Sequence, residues 1–292
     1  MALNSMTGIL NQCKEKNLPF WEVVLQYDME DRQVSREESI GKMLTTWNVM
    51  QEASDAYTGT RKSVSGMVGG DGMKMKQYNL RGKSLAGGGY MSEVMVEALS
   101  MAESNACMRR IVACPTAGSC GVMPAVLLPL VRNEKITQKQ IIEAFYVASG
   151  VGMVIASRAC IAGATGGCQA EIGTASAMAA AALVKLRGGS DELVCEAVAT
   201  ALANLMGLVC DPIAGLVEVP CVKRNVIGAL NAVSAADMAL AGIRSIVPVD
   251  EVIDAMAEVG RRMPVDYKET ALGALANTPT GRSIKERIWC KE

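Results

Sequence analysis

Apolar residues recur at spacings of three and four along most of this chain, which predicts helices and almost no strands. Residues 1–60 read as helix, turn and helix. Within Asp31–Tyr57, one apolar stripe is formed by Ile40, Met43, Leu44, Trp47 and Met50. Ser92–Arg109 keeps the same period through Met95, Leu99, Ala102 and Ala106. Thr137 with Gln140 makes a capping box ahead of Ile141, Ile142, Phe145 and Ala148. Thr174–Arg187 is alanine-rich and stops at Gly188-Gly189. Ser190, followed by Asp191 and Glu192, opens a helix reaching about Met206. Lys223–Ile243 is another helix, and Asp250 is expected to cap one ending near Arg262. Sustained β-branched alternation is scarce. The expected fold is all-α: a single multi-helix domain over residues 1–292, with buried Ala/Gly-rich central helices and Gly-rich loops forming the site.

Two glycine-rich stretches interrupt the helical pattern, Ser65–Gly72 and Leu85–Tyr90, on either side of the basic segment Lys74–Lys83. Glycine permits positive φ and close backbone approach, so these breaks are the first sign of a site.

Composition narrows the function. Hydrophobic residues make up 50% and charged residues 20%, as in a globular chain. With 29 basic and 30 acidic residues the formal charge is -1, so nothing here attracts nucleic acid or an anionic membrane. Aromatics are only 4%, leaving Ala, Val, Leu, Ile and Met to fill the core through close helix packing. The segment Met1–Lys16 lacks an apolar stretch of the secretory kind, and no apolar run reaches the roughly 18 residues of a membrane span. The expected location is the cytoplasm, where disulfides are rare. The ten cysteines then read as small buried hydrophobes or as metal ligands. Histidine is absent altogether. That excludes Ser-His-Asp and Cys-His sites and histidine-bound zinc within this chain, and leaves any metal to thiolates or carboxylates.

Three cysteines stand among helix breakers: Cys168 within Gly163–Glu171, Cys210 in Cys210-Asp211-Pro212, and Cys221 after Val219-Pro220. Thiolates at helix ends suit an iron–sulfur cluster, because backbone N–H groups there stabilise charged sulfur. Their spacing is not a ferredoxin pattern, so packing remains an open reading, as it does for Cys13, Cys107, Cys160 and Cys195.

The run Cys114-Pro115-Thr116-Ala117-Gly118-Ser119-Cys120-Gly121-Val122-Met123-Pro124-Ala125 resembles the α-domain signature of the bacterial iron–sulfur L-serine dehydratases. So do Gly163–Ala175, the stretch from Cys210 to Asn225, Gly66–Gly72 and Asn277–Gly281. The resemblance implies an oxygen-sensitive [4Fe-4S] cluster held by Cys168, Cys210 and Cys221. A cysteine near the C-terminus, here Cys290, would cover the open iron until substrate arrives; a frayed, exposed thiol is the alternative. The substrate implied is L-serine, converted to pyruvate and ammonia with an iron acting as Lewis acid on the hydroxyl, and without pyridoxal phosphate. The N–H groups of Thr116, Ala117, Gly118 and Ser119, with the Thr116 and Ser119 hydroxyls, are expected to bind the serine carboxylate, although the same run suits an ordinary capped turn. Lys83 is the candidate base, with a solvated surface lysine as the alternative reading and a cluster-bound hydroxide or a thiolate as other sources of the base. Glu171 and Asp211 read as loop-orienting groups, binders of the substrate ammonium, or helix caps. Full-length members also carry a β portion, so a separate β subunit is the expected partner. Three rival readings stay open: an L-cysteine desulfidase of the related family, a non-catalytic iron–sulfur sensor and a zinc protein.

Overall fold

The computed structural model describes residues 3–290, and in them thirteen α-helices and no strand. Three helices open the described residues: α1 (Met6–Lys16), α2 (Phe20–Arg32) and α3 (Arg36–Asp55). Next come α4 (Asp71–Leu80), α5 (Gly89–Ala106), α6 (Val122–Asn133) and α7 (Gln138–Arg158). After the single turn α8 (Gly163–Gly166) come α9 (Thr174–Leu186), α10 (Asp191–Leu205), α11 (Cys221–Leu240), α12 (Val249–Arg262) and α13 (Pro279–Trp289).

The central helix is α9, packed by α6, α7, α10 and α11. Every residue from Thr174 to Val184 is buried, and most are alanine. Small side chains all round let four neighbours approach one axis, as the composition requires. Tyr146 and Phe20 supply bulk further out in the same core. Glycine makes the tightest contacts. A Cβ on Gly150 of α7 would lie 2.6 Å from Val24 Cγ2 of α2. One on Gly228 of α11 would lie 2.8 Å from Ile172 Cγ2 and 3.0 Å from Val122 Cγ2. Gly228 thus lets α11, the segment before α9 and the start of α6 meet, and these are the elements that bear the candidate site. α7 has the length and hydropathy of a membrane span, yet it packs on α9 and α2 in the core.

Three expectations change. The helix expected over Asp31–Tyr57 is broken: Gln33 turns into the left-handed region at φ 53°, and Ser35 starts α3 with a capping box to Glu38. Residues 1–60 therefore hold three helices. The segment Lys74–Lys83 is largely helix α4, whose N-terminus is capped by a distant residue: the Glu103 carboxylate accepts from Gly70 N at 3.1 Å and Asp71 N at 2.7 Å. Asp250 does not cap its own helix, which opens after Pro248. Its carboxylate accepts from Met6 N at 2.8 Å and Thr7 N at 3.0 Å, closing the start of α1 instead.

Candidate active site

Three helix starts converge beside α9. The first belongs to a π-helical turn, Gln169–Gly173, that runs directly into α9 and has Cys168 as its preceding residue. The second is α11, whose first residue is Cys221. The third is the 3-10 turn Ala117–Ser119 that leads into α6. Unpaired N–H groups at such ends favour negative charge. A π turn inserts an extra residue in the helical ladder, a distortion frequent at functional sites.

Each cysteine is held by its backbone. Cys210 lies on the connector after α10, where its N–H donates to Tyr267 O at 2.8 Å and its carbonyl accepts from Glu269 N at 3.1 Å. Gln169 is buried and ties Cys168 in place: Gln169 N donates to Leu208 O, Nε2 to Met256 O at 3.1 Å, and Oε1 accepts from Gly207 N at 2.8 Å. Asn225, also buried, stands one turn into α11. Its Nδ2 donates to Cys221 O at 3.0 Å and Gly118 O at 2.8 Å, and its Oδ1 accepts from Gly121 N at 2.9 Å.

Cys168, Cys210 and Cys221 are all nearly inaccessible. The Cys168 and Cys210 sulfurs and a Glu171 oxygen lie within 4.8 Å of one another. The neighbouring Cys210 thiol lowers Cys168, and the same contact together with burial raises Cys210. Burial, followed by the charge on Cys168, pushes Cys221 up to about 12. The local countercharge is Arg224. Its guanidinium lies 2.7 Å from Asp211 Oδ1, donates to Val209 O at 2.8 Å, and reaches Cys168 sulfur. Asp211 Oδ2 accepts from Leu275 N at 3.1 Å. Glu171 is raised by burial, eased by the Thr116 hydroxyl and worsened by Glu269. A Cβ on Gly163 would lie 2.8 Å from Glu171 Oε2 and 3.1 Å from Cys210 Sγ, so only glycine leaves this space clear. Three buried thiols beside a buried arginine and without imidazole form a donor set suited to thiolate-bound iron.

Residues 15–276 match the family model described as serine dehydratase alpha chain. This chain belongs to that family. It is 46% identical to the probable L-serine dehydratase, alpha chain, of Bacillus subtilis over 94% of this chain and 92% of that one. It is 42% identical to the L-serine dehydratase, alpha chain, of Peptoniphilus asaccharolyticus over 99% of each. L-serine dehydratase 1 of Escherichia coli is 42% identical over 61% of this chain, which spans only 40% of that longer protein.

In this serine dehydratase α-chain fold, Cys168 and Cys210 lie with Glu171, Cys221 stands beside that group and outside its 4.8 Å limit, and Asn225 joins Cys221 to Gly118 in the run Thr116, Ala117, Gly118 and Ser119. That run is a capped 3-10 turn in which Ser119 Oγ contacts Thr116 Oγ1 at 3.1 Å and the Cys114 carbonyl at 3.3 Å. Cys120 is buried at its far end, its thiol directed at Met101 O. Two predicted residues stand apart. Lys83 is exposed on the connection between α4 and α5, and its carbonyl accepts from Tyr78 Oη at 2.9 Å. Cys290 is exposed one residue beyond Trp289, whose Nε1 donates to Ala214 O at 2.9 Å on the connector between Cys210 and Cys221. Gln169, Arg224 and Asn225 carry no individual signal in the sequence beyond lying inside the family-like stretches Gly163–Ala175 and Cys210–Asn225.

Proposed function

We propose that this chain is the cluster-bearing subunit of an L-serine dehydratase, converting L-serine to pyruvate and ammonia. The observation that carries the reading is the meeting of Cys168, Cys210 and Cys221 with the Thr116–Ser119 turn, in a family whose relatives are named for that activity. When bound, a [4Fe-4S] cluster on these three thiolates supplies a Lewis-acidic iron for the serine hydroxyl.

The protein's own groups do the rest. Arg224 balances the thiolate charge that three buried sulfurs would otherwise leave uncompensated. The Thr116–Ser119 turn offers N–H groups and hydroxyls to the substrate carboxylate, and Asn225 fixes that turn against Cys221. Packing around α9 keeps bulk water away from the three cysteines, where it would compete with the serine hydroxyl. Proton removal from Cα requires a base. Lys83 fills that role only if its exposed loop closes over the site, and an unchanged kcat in Lys83→Ala would remove it. The Trp289 anchor on Ala214 holds the end of α13 against the connector between Cys210 and Cys221, which supports Cys290 as a covering ligand. All ten cysteines are free, in keeping with a reducing cytoplasm. The greater length of the Escherichia coli relative, and the word "alpha" in the names of the others, support a separate β subunit as partner.

The test is anaerobic reconstitution with iron and sulfide, addition of the β subunit, and assay of pyruvate from L-serine for the wild type and for Cys168→Ala, Cys210→Ala and Cys221→Ala. Brown protein, active with serine and inactive in all three variants, is the expected result. Brown protein inactive on serine but releasing sulfide from cysteine would replace the reading with a desulfidase. Brown protein inactive on both would replace it with a sensor. Colourless protein that takes up no iron would end the cluster assignment.

A further inference from the structure

Glu171 is the one polar group of the site left without a role. It projects from the π turn that follows Cys168, three residues from the cysteine and on the side of the Thr116–Ser119 turn. The Thr116 hydroxyl faces its carboxylate. A Cβ on Gly118 would lie 3.4 Å from Oε1 and 3.5 Å from Oε2, and one on Gly163 would lie 2.8 Å from Oε2. The carboxylate therefore spans the gap between the carboxylate-binding turn and Cys210, walled by two glycines that leave room beside it.

Its charge is not balanced within the chain. Among the described residues no lysine or arginine lies within ion-pair distance of Glu171, and the one side-chain charge that acts on it, Glu269, is another acid. Arg224, the cation of this region, is taken up by Asp211, Val209 O and Cys168. A partly buried carboxylate with only a hydroxyl for company costs free energy unless a ligand brings the opposite charge. Asp211 has the same chemistry nearby, but its charge is matched by Arg224 at 2.7 Å from Oδ1, and Leu275 N donates to its Oδ2.

We propose that Glu171 binds the α-ammonium of the substrate, so that the site selects α-amino acids over hydroxy acids that lack the amino group. This rests on the lyase reading of the same site. The Thr116–Ser119 turn takes the carboxylate, Glu171 takes the ammonium, and the side chain at Cβ is thereby turned toward the cysteines.

The test uses the anaerobically reconstituted chain with its β subunit and two ligands that cannot be dehydrated, L-alanine and propionate, the second being the first without its ammonium. Affinities are measured by competition against L-serine and directly by calorimetry, and iron per chain is measured alongside. For the wild type, alanine should bind roughly 10- to 100-fold more tightly than propionate, the ratio expected from one charge-assisted hydrogen bond. In Glu171→Gln the gap should close through weaker alanine binding, with propionate and iron content unchanged. Glu171→Asp should restore part of the gap. A gap that survives in Glu171→Gln overturns the inference, as does a loss of iron, which would make Glu171 a metal ligand. An unchanged KM with lost kcat would also overturn it, by making Glu171 a base. A serine-active wild type whose gap survives the substitution fails only this inference; a wild type that carries iron and forms no pyruvate from serine fails the lyase reading, and the inference with it.

Discussion

Asn225 and Gly118 are joined by a 2.8 Å hydrogen bond that crosses from the start of α11 to the turn before α6. The same amide also reaches Cys221 O and Gly121 N, so one fully buried side chain holds a cysteine and the proposed substrate turn in fixed relation. Asparagine is required because the contacts need two donors and one acceptor, which neither leucine nor aspartate supplies.

Asn225→Asp keeps the acceptor and loses both donors, placing a carboxylate against two carbonyl oxygens. Each buried group left unpaired costs about 1–3 kcal/mol. Urea denaturation of the metal-free chain should show a loss of roughly 2–5 kcal/mol, within the range for broken buried networks. A change under about 0.5 kcal/mol, the level of an ordinary surface substitution, would mean the bridge does not hold the turn.

Gly163→Ala should spare the fold and damage the site. Its backbone suits any residue, but the added methyl would press on Glu171 Oε2 and Cys210 Sγ. Circular dichroism should be unchanged while iron retention after reconstitution drops several-fold. Normal iron content with normal turnover would show that the wall at Gly163 is not needed.

Much of this architecture is legible along the chain because its signals are local. The Thr137–Gln140 capping box starts α7 and Ser190 starts α10, as their side chains predict. The alanine run over Thr174–Arg187 is the buried centre. What is not legible is set by distant partners. α4 buries only Gly72 along its length, so no apolar stripe marks it, and its cap comes from Glu103 on α5. Asp250 resembles a local cap but serves α1 from the other end of the sequence. In the site, helix breakers and family likeness mark the cysteines. The roles of Arg224 and Asn225 exist only once three helix starts have come together, and the same meeting is what separates Glu171 from Asp211 among the readings the sequence left open.

Arg224→Met should destabilise the site more than any surface charge change. The guanidinium and Asp211 are both nearly inaccessible, and removing one partner leaves the other charge buried, which costs about 3–5 kcal/mol. The reconstituted variant should lose its visible absorbance in air several-fold faster than the wild type. A wild-type rate of bleaching would show that Arg224 does not stabilise the thiolates. Asp211→Asn combined with Arg224→Met should recover part of the loss in folding stability.

Away from the site, α2 and α3 are clamped by Glu22 and Arg36, with Nη2 to Oε2 at 2.8 Å. The hydrogen bond from Arg36 holds the Glu22 carboxyl below its ordinary 4.5, against the opposing effect of burial. The folded pKa is depressed, so the pair's contribution is present above about pH 4.5 and is lost as pH falls through the lower folded value. Glu22→Gln should therefore lower the urea midpoint at neutral pH and converge with the wild type in acid. Curves that stay parallel down to strongly acidic pH would show that the pair adds nothing.

The cysteines should separate by reactivity. Cys290 is exposed, whereas burial pushes Cys114, Cys120 and Cys195 each up to about 12. A thiolate reagent at neutral pH should thus label Cys290 first, seen as one rapid equivalent absent from Cys290→Ser. If the tail covers the cluster, reconstitution should protect Cys290, and L-serine should expose it again. Trp289→Ala, which removes the bond to Ala214 O, should weaken that protection without changing the rapid equivalent in the metal-free chain. Equal labelling of Cys290 with and without the cluster would show that the tail remains outside the site.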